Sequence, residues 1–204
     1  MATATHDPAL QDPALAPPAE LPRPRTLFVG TAFATGAVLL FFTGLFALYI
    51  QERSATLASG SPWIPAHTIP LVPGGMMMLT MAMSVVIMQW ALYAIARDDR
   101  PHAYLALALT AFFGMAVITQ TVYLYKQMGL VIDATVPALF IYVITGAHLV
   151  MLVVAMIFIG LMAFRALAGQ YSSRQADGIA SAALFWYATV AVYAAVYYII
   201  YVTK

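Results

Sequence analysis

Charged residues divide this chain into long uninterrupted intervals, at 26–51, 54–96, 101–125, 134–164 and 178–203, none of which contains Asp, Glu, Lys or Arg. A charge at mid-bilayer costs about 2.5–3.5 kcal/mol on insertion scales, so charge-free intervals mark the stretches lipid can accept. Each exceeds the roughly 20 apolar residues a helix needs to cross the hydrocarbon core. The second is long enough for two readings, but Pro62, Pro65, Pro70 and Pro73 crowd its first half. A lipid-exposed helix cannot satisfy its backbone around so many prolines, so that half reads as a loop and the helix begins near Gly74. Pro101 and Pro137 fall near helix starts, where the missing N–H costs nothing. The pattern predicts an all-α integral membrane bundle of five helices, at roughly 26–51, 74–96, 102–126, 135–166 and 177–202.

Residues 1–25 have the opposite character, with six prolines among small and polar residues, and read as a disordered tail ahead of a transmembrane domain at 26–204. They lack the basic stretch, short apolar core and small-residue cleavage site of a secretory signal.

Composition agrees with the pattern: 63% of the 204 residues are hydrophobic and 8% charged, against about a quarter charged in soluble domains. The net charge of +1 offers no basic surface for nucleic acid. Without cysteine there are no disulfides, thiolate metal sites or iron–sulfur clusters. The six cations Arg23, Arg25, Arg97, Arg100, Arg165 and Arg174 fall on one side of five crossings, and Arg53, Lys126 and Lys204 on the other. The positive-inside rule then puts the N-terminus in the cytoplasm and the C-terminus outside. Trp63 and His67 belong to the outer loop, where Trp63 suits headgroup depth, and Tyr201 at the end of the last helix suits an aromatic belt.

His148 is the one ionisable group well inside a span. A single imidazole is no proton relay, and it reads as a hydrogen-bonded structural residue. His6, His67 and His102 lie in the tail and loops, so the chain cannot build a bis-histidine haem site. Met151 shares a helix with His148, so the two cannot take opposite faces of a haem. The run Met76, Met77, Met78, Met81, Met83 and Met88 raises a rival reading, copper passage, since thioethers suit Cu(I). Methionine equally fills apolar packing surfaces. Ala32 with Gly36, and Thr145, Gly146 and Ala147, are small-residue stretches that serve packing within the bundle or against another protein.

Several segments, in order, resemble subunit III of the haem-copper (cytochrome c) oxidases, in its short five-helix bacterial form. Val29-Gly30-Thr31 followed by Leu40 through Tyr49 is similar to that family's first core helix. Gln120-Thr121-Val122-Tyr123-Leu124-Tyr125 is similar to its Gln-x-x-Tyr-Glu-Tyr segment. Thr145-Gly146-Ala147-His148 through Met151 resembles its Thr-Gly-x-His-x-x-His signature, and Phe185-Trp186-Tyr187 followed by Tyr193 its Tyr-Trp-His-Phe-Val-Asp segment. The departures are systematic: Val38, Leu124, Met151, Tyr187 and Val190 stand where the family has carboxylate or histidine. The resemblance therefore carries over Gln120, Tyr123, His148 and Trp186 as structural positions only. It implies a non-catalytic subunit in a prokaryotic inner membrane, without catalytic residues, haem or metal of its own. Such a subunit packs beside subunit I, with subunit II in the same complex, holds phospholipid, and supports an oxidase that reduces O2 to water with haem and copper in its partners. Two alternatives stand beside it: an accessory subunit of a related nitric oxide reductase, and a small copper transporter.

Overall fold

The computed structural model describes residues 25–64, 69–169, 171 and 176–203. The proline-rich tail, His67, Arg23, Arg174 and Lys204 lie outside the described residues. The helices are α1 (Thr26–Ala58), α2 (Leu71–Ala96), α3 (Arg100–Met128), α4 (Val136–Leu167) and α5 (Asp177–Val196), the last continuing as a π-helical turn over Tyr197–Val202. All five are long and apolar enough to span a bilayer, and among the described residues there is no strand. The chain is a multi-pass membrane protein.

The ends of the helices follow local chemistry. Helix α2 starts at Leu71, ahead of the predicted Gly74, because Pro73 falls in the first turn, where no intrahelical bond needs its N–H. At the start of α3 the Asp99 side chain accepts from the His102 amide, and at the start of α4 Thr135 accepts from that of Ala138. Gly129 ends α3 in the left-handed conformation at φ 57°, which glycine adopts without a Cβ penalty. Helix α1 runs on past the predicted residue 51, its last two turns carrying Glu52, Arg53 and Ser54 beyond the apolar stretch.

The inward faces of α2 and α3 contain stripes at alternating spacings of three and four. In α2 the stripe is Gly74, Met77, Met81, Ser84, Met88 and Ala91, and in α3 it runs Ala103, Leu107, Thr110, Gly114, Val117, Thr121, Leu124 and Met128. These two stripes interlock along the length of both helices, as ridges and grooves do at such spacing. Helix α5 is the centre of the bundle: 67% of its most apolar window is buried, against 17% for α1. It packs on α1, α2 and α4, whereas α1 touches only α5 and α4 to any extent. Glycine permits close approach at three places: a methyl on Gly114 would fall on Met156 Sδ and the Trp186 ring, one on Gly74 against the Tyr201 ring, and one on Gly178 against the Tyr171 hydroxyl and Met162 Sδ.

Two aromatic side chains that the sequence suits to the lipid interface are covered by protein. Trp63 is buried, packed edge-on to Tyr49 with ring centroids 5.5 Å apart and beside Phe140 at 6.5 Å. Tyr201 is also buried, stacked on Tyr197 at 5.8 Å, and Tyr198 is the exposed tyrosine of that turn. Tyr201 fills the space over Gly74, and Trp63 gains its burial from edge-to-face packing on other rings.

Candidate functional site

Several polar groups of the bundle core are tied to one another across helices. Trp186 Nε1–H donates to Ser84 Oγ at 3.0 Å, and Ser84 donates to the Met81 carbonyl at 2.6 Å, joining α5 to α2. Tyr193 O–H donates to the Gly74 carbonyl at 3.0 Å, a second tie between the same helices. His148 Nε2–H donates to the Thr189 carbonyl at 3.2 Å, joining α4 to α5, with the Tyr193 ring 5.2 Å away. Between α3 and α4, Tyr125 O–H reaches Thr145 Oγ1 at 2.7 Å while that hydroxyl donates to Ile141 O, so the tyrosine is the donor. Thr110, Thr121 and Thr189 bond the carbonyl four residues back, which satisfies each hydroxyl without a second helix.

The four positions singled out by resemblance divide in two. His148 and Trp186 are core residues with cross-helix hydrogen bonds. Tyr123 is exposed and takes a bond from Gln127 Nε2 at 2.7 Å, and Gln120 is half-buried with its Oε1 unpaired. The structure does not bring these four together into one site. The substituted positions follow their new chemistry: Leu124, Met151 and Val190 are buried among apolar neighbours, and Tyr187 O–H reaches outward to Gln89 Oε1 at 2.8 Å. Sequence reasoning missed Ser84 and Thr189 as partners. A hydroxyl stranded inside a charge-free span was the available signal.

The methionine run does not form a path. Met77, Met81 and Met88 are buried in the α2–α3 seam, Met77 Sδ accepting from Thr121 at 3.6 Å, while Met76 and Met83 face outward. Helical spacing splits the thioethers between opposite faces. Among the described residues, no group of three or more His, Asp or Glu is placed to hold a metal ion.

Charge gathers outside the spans. At the start of α3, His102 Nδ1 lies 2.7–2.8 Å from the Asp99 carboxylate, which His102 holds below the usual carboxylate range. Arg97 stacks over Tyr93 at 3.9 Å, and Arg25 pairs with Asp177 at 3.5 Å. Tyr171, in the α4–α5 connection, donates to Met162 Sδ at 2.9 Å, and burial raises its hydroxyl above the ordinary value.

Hydrogen bonds between helices, among them an imidazole bound to a carbonyl and an indole bound to a hydroxyl, define a helical membrane bundle. The chain belongs to the cytochrome c oxidase subunit III family, whose model matches residues 25–204. Among its relatives is cytochrome c oxidase subunit 3 of Corynebacterium diphtheriae, 24% identical over 186 residues that cover 90% of this chain and 91% of the relative. Cytochrome c oxidase subunit 3 of the turtle Pelomedusa subrufa is 29% identical over 168 residues, and that of Sus scrofa 28% over 167. Each of these alignments covers 80% of this chain and 64% of the animal protein, so the match spans less than two thirds of those longer relatives.

Proposed function

We propose that this chain is the non-catalytic subunit III of a respiratory haem-copper terminal oxidase. It packs beside subunit I, with subunit II in the same complex, in a prokaryotic inner membrane with its N-terminus in the cytoplasm. It holds phospholipid and supports sustained reduction of O2 by haem and copper carried in its partners. The observation that supports this reading is the family match over residues 25–204, together with a core in which His148 and Trp186 make hydrogen bonds between helices. The exposed face of α1 supports an assembly role: a groove of about 570 Å³ runs past Ala32, Gly36 and Thr43 between Phe33 and Leu40. Gly30, Gly36 and Gly44 have nothing within 4 Å of where a Cβ would stand, so these small residues serve no contact inside the chain.

The test is a mild-detergent pull-down of the full chain with visible spectroscopy of the eluate. Co-purifying haem in stoichiometric amount is the expected result, and a colourless lone protein defeats the reading. The loss of polar groups at Leu124, Met151 and Val190 also suits a complex that does not pump protons, such as a nitric oxide reductase. The substrate reduced by the same eluate, O2 or nitric oxide, separates the two.

A further inference from the structure

One polar side chain within the span of α2 faces away from the protein. Gln89 is exposed, and its Oε1 accepts from the Tyr187 hydroxyl of α5 at 2.8 Å. That bond uses the oxygen alone. The amide also carries two N–H donors on Nε2, and no group among the described residues accepts from them. Depth makes this costly. At 1.5 Å per residue Gln89 lies about 12 Å along the helix from Arg97 and about 27 Å from Leu71, and Tyr187 about 15 Å from Asp177. Both therefore stand inside the hydrocarbon layer, roughly 30 Å thick, where lipid tails offer an amide no acceptor.

The surroundings of this amide suit a helix better than a lipid tail. Ala82, Val86, Gln89 and Tyr93 form an exposed stripe on α2 at helical spacing. Leu184, Tyr187, Ala191 and Ala194 form a second stripe on α5, exposed at Ala191 and half-buried elsewhere. The two helices run antiparallel, since Ser84 meets Trp186 while Gly74 meets Tyr193, so Ala82 and Ala191 both lie on the side of the Gln89–Tyr187 bond away from Arg97. Alanine there lets a third backbone come close, and the unpaired amide N–H groups give it something to bind. The apolar groove on α1 is a separate feature, lined by neither Gln89 nor Tyr187.

We propose that Gln89, oriented by Tyr187, is the polar attachment point for a transmembrane helix of a neighbouring subunit. That helix presents a hydrogen-bond acceptor at the depth of Gln89: a hydroxyl, a carboxamide oxygen or an unpaired backbone carbonyl. An acceptor completes the amide, and a membrane helix can carry one to this depth where a lipid tail cannot. The inference names a contact face for the assembly proposed above and rests on that reading.

The experiment uses the purified complex carrying this full chain. In one arm Val86, 65% exposed and one turn from Gln89, is replaced by photoreactive p-benzoylphenylalanine, and the crosslinked peptides are identified by mass spectrometry. Illumination is expected to join position 86 to a membrane span of a different chain. A crosslink to a second copy of this chain, or to lipid alone, overturns the proposal. In the other arm, haem retained through a detergent titration is compared among wild type, Gln89→Leu and Tyr187→Phe. Gln89→Leu is expected to lower retention by about threefold to tenfold, the range of one hydrogen bond between membrane helices. Tyr187→Phe keeps the amide donors and is expected to lower it less. Unchanged retention in Gln89→Leu, or equal losses in the two variants, assigns the amide to Tyr187 alone and overturns the proposal. Should Gln89→Leu fail to assemble, the crosslink decides. Haem absent from the wild-type preparation defeats the subunit reading, whereas haem present without a crosslink to another chain defeats this inference alone.

Discussion

Trp186 and Ser84 meet at 3.0 Å in the middle of the bundle, both fully buried, the indole donating to a hydroxyl that itself donates to Met81 O. The relationship is asymmetric. Ser84→Ala strands the indole N–H and is expected to cost about 1–3 kcal/mol. Trp186→Phe leaves the serine bonded to its own helix, so its cost comes from lost ring volume. Tryptophan-to-phenylalanine on the Ser84→Ala background should therefore cost less than on the wild type. Thermal unfolding of the purified complex, read as a double-mutant cycle, checks this.

His148→Ala leaves the Thr189 carbonyl without its donor and removes the imidazole from beside Tyr193. The expected result is weaker assembly, with turnover per haem unchanged in whatever complex stays intact. An intact complex with full haem content and no turnover would contradict it.

Glycines at 114 and 160 respond oppositely to alanine. A methyl at Gly114 falls on Met156 Sδ and the Trp186 ring, an overpacking worth about 1–3 kcal/mol, whereas Gly160 has nothing within 4 Å. Gly160→Ala is expected to be neutral or stabilising by up to about 1 kcal/mol. Melting temperatures of the two variants give the comparison.

Gly36→Leu fills the open groove on α1 without meeting a neighbour in the chain. If that face packs against a partner helix, co-purified haem falls about tenfold, equivalent to about 1.4 kcal/mol of interface, while the helical content of the chain is kept. Unchanged haem recovery would place the partner on another face.

The Asp99 cap should be acid-sensitive. His102 holds the Asp99 carboxyl below its unfolded value, so the stabilisation is present above the unfolded pKa and is lost as pH falls through the lower folded one. Amide exchange at the start of α3 should therefore quicken, relative to intrinsic rates, below about pH 4, and Asp99→Asn should flatten that pH dependence. A wild-type profile as flat as the variant's would show that the carboxylate contributes no cap.

The number and approximate limits of the five spans were legible from charge positions alone, because desolvating a charge is so expensive that lipid admits almost none. His148 stood out for the same reason. Orientation within the bundle was not legible. These helices are apolar on every side, so hydrophobic periodicity does not say which face turns inward. Only packing decided that α5 is the centre, that Met77 and Met81 point in while Met76 and Met83 point out, and that Trp63 and Tyr201 are buried against other side chains. In lipid the inward choice rests on close fit and on hydrogen bonds between helices, and those depend on partners far apart in the chain, as Ser84 and Trp186 are.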